Sequence, residues 1–200
     1  MKKSIIITGI LLATILGYGL LHDMDLLHDH IIRLHVVGAS DSGEDQRIKL
    51  AVKDAINDEL KMLLANVDTV EDAKIQILGH LADLKARGEQ VLHDNGSEES
   101  ITISLEQETF PLREYDTFSL PSGVYTSLRV RIGEAHGKNW WCVVFPSLCL
   151  PAAGENLEDV AASAGFSDSL CDTLTRREGY ELRFFFLDWM GKLQNFFFEK

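Results

Sequence analysis

Two hundred residues, 46% of them hydrophobic, suffice for one domain of ordinary size with a sizeable core, so disorder is not the default. A formal net charge of −12 excludes tracking of a phosphate backbone, and no nucleic-acid partner is expected. The same charge opposes anionic lipid headgroups, which leaves any membrane attachment to the N-terminal segment.

That segment differs from the rest. Lys2 and Lys3 form a basic flank, and Ile5 to Leu21 then runs 17 residues without a charge. As a helix the run is about 26 Å long at 1.5 Å per residue, a little short of a hydrocarbon core of about 30 Å. A basic start and an uncharged run fit export better than a buried core helix. Residues 1–21 are therefore expected to be a secretory signal peptide or a retained transmembrane anchor. Gly17-Tyr18-Gly19 offers a small-x-small pattern, but neither an Ala-x-Ala site nor a lipoprotein cysteine follows the run. Residues 22–30 hold three histidines and three aspartates, including His22, His28 and His30. They could ligate a divalent cation, but their irregular spacing favours a solvated polar tether just outside the membrane.

Residues 31–200 are expected to form a single α+β domain. Ile31–Val37 is rich in β-branched residues and reads as a mostly buried strand. Gly38–Asp45 is a turn, with Ser42 as N-cap of the next helix. Ile48, Val52, Ala55, Ile56, Leu60 and Leu63 mark one helical face. A second helix starts at Thr69 and carries Val70, Ala73, Ile77, Leu81 and Leu84, so an αα-hairpin ending at Asp94-Asn95-Gly96 is expected. From Ile101 the period becomes two: Ile101, Ile103 and Leu105 alternate with Thr102, Ser104 and Glu106.

Val124–Ile132 and Trp140–Phe145 are the next strands, expected to pair as an antiparallel hairpin across Gly133–Lys138. Adjacent strand residues face opposite ways, so one of Trp140 and Trp141 should fill the core, leaving the other for a second layer or a partner. Pro146 and Pro151 end regular pairing. Residues 152–177 read as a polar connection, Tyr180–Leu187 as a last strand, and Asp188–Phe198 as a short helix with Trp189, Leu193, Phe196 and Phe197. The sum is an α+β fold: N-terminal strand, αα-hairpin, antiparallel sheet of about four to five strands, short C-terminal helix.

Catalytic patterns are missing. The chain has no glycine-rich phosphate loop, Gly-x-Ser-x-Gly elbow or His-Glu-x-x-His pair, so no catalytic residue, cofactor or metal is expected. With Cys142, Cys149 and Cys171 as the three cysteines, at most one intrachain disulfide forms. A Cys142–Cys149 bridge requires the chain to reverse near Pro146, because seven extended residues span roughly 20 Å or more. Cys142, in an apolar strand, reads as an inert core residue. Asp41, Glu44 and Asp45 precede a helix, where its dipole favours carboxylates. Arg129 and Arg131 share a strand face; with His136 they could form a recognition edge. Phe184–Phe186, Trp189 and Phe196–Phe198 are too many large rings for one buried face, and some should mark a partner or membrane contact.

Several segments carry a family likeness. Ile32-Arg33-Leu34-His35-Val36, Ser40-Asp41-Ser42 and Glu44-Asp45-Gln46 form an opening motif. Phe110-Pro111 with Tyr115, Leu120-Pro121-Ser122-Gly123-Val124-Tyr125, Leu128-Arg129-Val130 with Ile132-Gly133, and Asn139–Cys149 follow in order. Together they resemble the stage II sporulation protein R family over roughly residues 31–150. Departures stand at Ala39, Ala135 and Ser147, where the family usually has Asn, Gly and Pro. The resemblance implies an intercompartmental sporulation signal, made in the forespore and exported into the space between the two membranes. There it activates a membrane-embedded aspartic protease of the mother cell, which processes the sigma-E precursor. Family members are not known as enzymes. On this basis the partner surface is expected at Arg129, Arg131, Asn139, Trp140, Trp141, Phe145 and Pro146, with Trp189 as a second locus. The rival expectation is an extracytoplasmic thiol or metal-dependent hydrolase using Cys142 or the His22–His30 cluster.

Overall fold

Ile32–Val37 (β1) is buried at all six positions. A strand with no solvated face belongs in the middle of a covered sheet, and that is where it sits. The computed structural model describes residues 2–115, 118–146, 166, 168–175 and 181–198. Its contacts divide the chain into two units, and the architecture is α+β throughout.

The first unit comprises residues 30–108 and 125–165. After β1 come helices α2 (Gly43–Leu63), α3 (Val70–Gly79) and α4 (Leu81–Asp94), then strands β2 (Ile101–Phe110), β5 (Gly123–Ile132) and β6 (Asn139–Phe145). The sheet order is β2-β5-β1-β6. β1 runs parallel to β5 and antiparallel to β6. The expected β5–β6 hairpin is corrected: β1 lies between those strands, because the α2–α4 crossover returns the chain as β2 at the sheet edge and β5 then fills the place between β2 and β1. The loop after β5 therefore bridges over the end of β1, where His136 and Gly137 N–H donate to the carbonyls of Ala39 and Gly38.

The helices cover one face of this sheet. Ser42 caps α2 by accepting from Asp45 N–H, and Thr69 caps α3 by accepting from Asp72 N–H. α2 and α4 form the expected antiparallel packing, but the second helix is broken. At His80 the backbone (φ −116°, ψ 15°) ends α3 and starts α4. Gly88 lets α4 approach the sheet, since a Cβ there would stand 2.5 Å from Ile101 Cδ1. Leu34, Val36, Leu128, Val130 and Cys142 on the strands meet Val52, Ile56, Ile77 and Leu84 on the helices in one core. At β6 the register slips between Ile32 and Arg33, so Val144 is an extra residue and Phe145 returns to the core side.

The second unit comprises residues 1–29, 109–124 and 166–200. It holds α1 (Lys2–His30), the two-stranded ladder β3 (Arg113–Glu114) and β4 (Ser119–Leu120), and the helices α5 (Asp168–Leu174) and α6 (Glu181–Phe198). Two expectations are corrected here. Residues 22–30 are no loose tether but the end of α1, with Asp23, Met24 and Leu27 buried. The last strand expected at 180–187 is helical from Glu181 on. Three successive phenylalanines suit a strand, yet the whole run repeats at helical spacing, and the longer period wins. Among the described residues, no helix is long and apolar enough to cross a membrane. Most of the expected 152–177 connection and Pro151 lie outside the described residues; Asp168–Leu174 within it is helical.

Candidate partner-binding face

β1 alternates apolar Leu34 and Val36 with Arg33 and His35, and its register carries that alternation across the sheet. Arg129 and Trp141 lie opposite His35 on either side, while Ser127 and Val143 lie opposite Arg33. Because successive residues point to opposite faces, the face away from the helices is polar. Arg33, His35 and Ser127 on it are nonetheless buried.

His35 is the centre of this face. Its Nδ1 is 2.7 Å from Glu108 Oε1 and its Nε2 is 3.0 Å from Asn139 Oδ1. A carboxylate only accepts, so Nδ1 carries a proton and donates to Glu108. The Trp141 ring stacks on the imidazole at 5.4 Å with a 20° interplanar angle. Arg129 Nη1 stands 3.2 Å from Glu106 Oε1 and 3.5 Å from Glu108 Oε1. A row of Glu106, Glu108, Arg129, His35, Asn139 and Trp141 thus runs across all four strands.

Burial alone would raise the Glu108 carboxyl. The hydrogen bond from His35 and its charge, with Ser127 and Arg129 adding, outweigh that and hold Glu108 below the usual carboxylate range. Beside the row, the Arg33 guanidinium lies 5.0 Å from the Tyr125 ring centroid.

The expected partner residues separate into groups. Arg129, Asn139 and Trp141 meet around His35, and Arg131 lies half-buried one step along the same face, opposite Val37. Trp140 points to the other face, 38% exposed, with Lys53 Nζ 4.8 Å from its ring centroid. Neither tryptophan fills the core: one is a plate on the polar face, the other a cap on α2. Phe145 and Pro146 are buried. Trp189 is in the other unit, 55% exposed on α6. In sequence His35 offered only a possible base for a cysteine nucleophile, and Glu106 and Glu108 carried no assignment to this face. Their signal was the parity of Glu106 and Glu108 on β2 against His35 and Arg129. That parity becomes visible only once the strand order is known.

At the far end of β1, the Gly38–Asp45 turn is knitted to the β5–β6 loop. Lys138 N–H donates to Asp41 Oδ1 at 2.7 Å, and Lys49 Nζ donates to the Lys138 carbonyl at 3.0 Å. Burial pushes the Lys49 ammonium down despite the nearby Asp41. Hydrogen bonds from Ser40 and then Ser42 hold Asp45 below its ordinary value.

A family model described as stage II sporulation protein R matches residues 28–155, a span that contains β1, β5, β6 and the entire His35 row. The chain belongs to the stage II sporulation protein R family. Stage II sporulation protein R of Bacillus subtilis (strain 168) is 28% identical over 186 residues, which cover 84% of this chain and 83% of the relative. No solved structure matches. A role in sporulation follows from the family.

The groups considered for hydrolysis are placed differently. Cys142 lies in the core, as its apolar strand suggested, and is disulfide-bonded. Cys171 is free but buried, and burial, then Asp168 and Asp172, push its thiol up. His22 stands more than one turn of α1 before His28, His30 only about half a turn beyond it, and the three point in different directions around the helix. Among the described residues, no three His, Cys, Asp or Glu side chains gather to hold a metal ion.

Proposed function

We propose that this chain is an exported sporulation signal that works by binding. Its target is a membrane-embedded aspartic protease of the mother cell, whose activation leads to processing of the sigma-E precursor. The observation that carries this reading is the His35 row within the family-matched segment. It is a charge-locked sheet face that fixes Asn139 and Trp141 on the terminal strand of the sheet, with Trp140 on the opposite side. Buried charge pairing makes such a surface stiff, and a stiff surface with aromatic anchors suits recognition.

The mechanism is a shift of population. A ligand favours the active state of a protease only by binding that state better than the inactive one. The chain acts from the intermembrane space, delivered by residues 1–21, which remain as a signal peptide or an anchor. It makes and breaks no covalent bond. A hydrolase using Cys142 loses support, because a disulfide-bonded sulfur is no nucleophile.

The test is co-expression of the protease and the sigma-E precursor in a non-sporulating host, with and without this chain. Processing that depends on the chain is expected, and Trp140→Ala with Asn139→Ala should reduce it about tenfold or more at unchanged protein level. Precursor processing that is equal in the presence and absence of the chain would defeat the assignment.

A further inference from the structure

α6 is amphipathic the wrong way round. Leu182, Phe185, Phe186, Trp189, Leu193, Phe196 and Phe197 are each 45–75% exposed. At 100° per residue they fall within one sector about 120° wide and about 22 Å long. No charged residue interrupts this sector; Glu181, Lys192 and, on the other side, Arg183 lie on its flanks and Asp188 beyond them. The opposite side, which faces its own unit, is the one with polar groups. Asp188 accepts from Ser122 N–H at 3.0 Å, Asn195 Nδ2 donates to the Phe110 carbonyl at 3.0 Å, and Gln194 Oε1 accepts from Val124 N–H at 3.2 Å.

The helix cannot roll over to hide the stripe. A Cβ at Gly191 would lie 1.6 Å from the Ser122 carbonyl oxygen, so only a glycine face fits against residues 122–123. The packing that buries Phe184, Leu187, Asp188 and Gly191 therefore fixes the aromatic side outward. That side exposes on the order of 800 Å², more than the largest apolar patch of an ordinary monomer, about 300–600 Å².

We infer that α6 is an interfacial helix that lies in the surface of a lipid bilayer. One argument is position. Arg183 Nε donates to Asp23 Oδ2 at 2.8 Å, which pins the first turn of α6 two residues beyond the uncharged Ile5–Leu21 run of α1. Given the anchor role proposed above for residues 1–21, with that run held in a membrane, a helix start fixed there lies at headgroup depth. A second argument is shape and composition. The stripe is a convex ridge in which five of the seven side chains are Phe or Trp, the residues that settle at the apolar–polar boundary. It is also wider than the narrow seam that two packed helices share. Lys192, at the flank, pairs with Asp188 at 2.7 Å and can reach toward headgroups. With no basic face, the attachment rests on apolar area and needs no anionic lipid.

The inference goes beyond the activation of a protease and is tested without one. The full chain is mixed with neutral phosphatidylcholine vesicles whose acyl chains carry bromine near the headgroup. Fluorescence of the native chain minus that of Trp189→Phe isolates Trp189. About twofold or greater quenching of that component is expected, as for a ring buried about 5–10 Å into the boundary. Phe185→Ser with Phe196→Ser should cut the quenching while leaving the helical circular dichroism unchanged. An unquenched Trp189 on vesicle-bound chain overturns the inference. So does quenching that needs the protease in the membrane, or a Trp189 shielded by a dimer in lipid-free solution.

Discussion

At the scale of residues, the Glu108–His35 contact sets how the protein responds to acid. Glu108 is held below its ordinary value, so its contribution to stability is full above the unfolded carboxylate value of about 4.3. It is lost as pH falls through the lower folded value. Asp188 behaves alike: burial opposes its charge, but Lys192 and Ser122 outweigh burial and hold it low. Unfolding free energy should therefore fall steadily below about pH 4. Glu108→Gln should cost about 1–3 kcal/mol at pH 7 and flatten that fall, measurable by urea titration across pH. Ala135 offers the opposite change. It has φ +55° in the β5–β6 loop, a left-handed conformation that disfavours a Cβ. This is one of the positions where the family usually has Gly. Ala135→Gly should stabilise the chain by about 0.5–1 kcal/mol, seen as a higher urea midpoint at unchanged slope.

At the scale of elements, α6 shows where local pattern misleads. Phe184-Phe185-Phe186 suits a strand, and only the longer repeat from Leu182 to Phe197 exposes a helix. Part of the confusion is physical: an amphipathic pattern says which residues share a face, but not whether that face looks inward. Here Gly191 decides it. Gly191→Ala should shift α6 off residues 122–123 and lower stability by about 1–3 kcal/mol, with loss of near-ultraviolet Trp signal and little loss of helix content. By contrast α2 was legible almost to the residue, from the Ser42 cap to the Ile48–Leu60 stripe. α3 and α4 merged in the sequence because a single glycine, Gly79, is a weak stop signal inside a continuous apolar stripe; the break shows in the His80 backbone angles.

For the whole molecule, the four strands of the main sheet were legible and their neighbours were not. Val124–Ile132 and Asn139–Phe145 are close in sequence, which favours pairing on entropic grounds. β1 nevertheless inserts between them, because a strand buried on both faces gains most at the centre. That insertion builds the candidate site, since it places His35 between Arg129 and Trp141 and within reach of Glu108. Sequence singled out Arg129, Asn139 and Trp141 for their type and proximity; the histidine that joins them needed the fold. The proposed activation sets a demand on this surface. Moving a protease from about 1% to about 99% active requires about 10⁴-fold tighter binding to the active state, so a few anchors should dominate.

The most direct measurement adds purified chain, in increasing amounts, to membranes that contain the protease and its sigma-E precursor, and follows the rate of precursor cleavage. Binding alone predicts a rate that saturates near one chain per protease and falls when chain is withdrawn. Full processing at a small fraction of one chain per protease, or cleavage of the precursor by this chain in membranes without the protease, would contradict it.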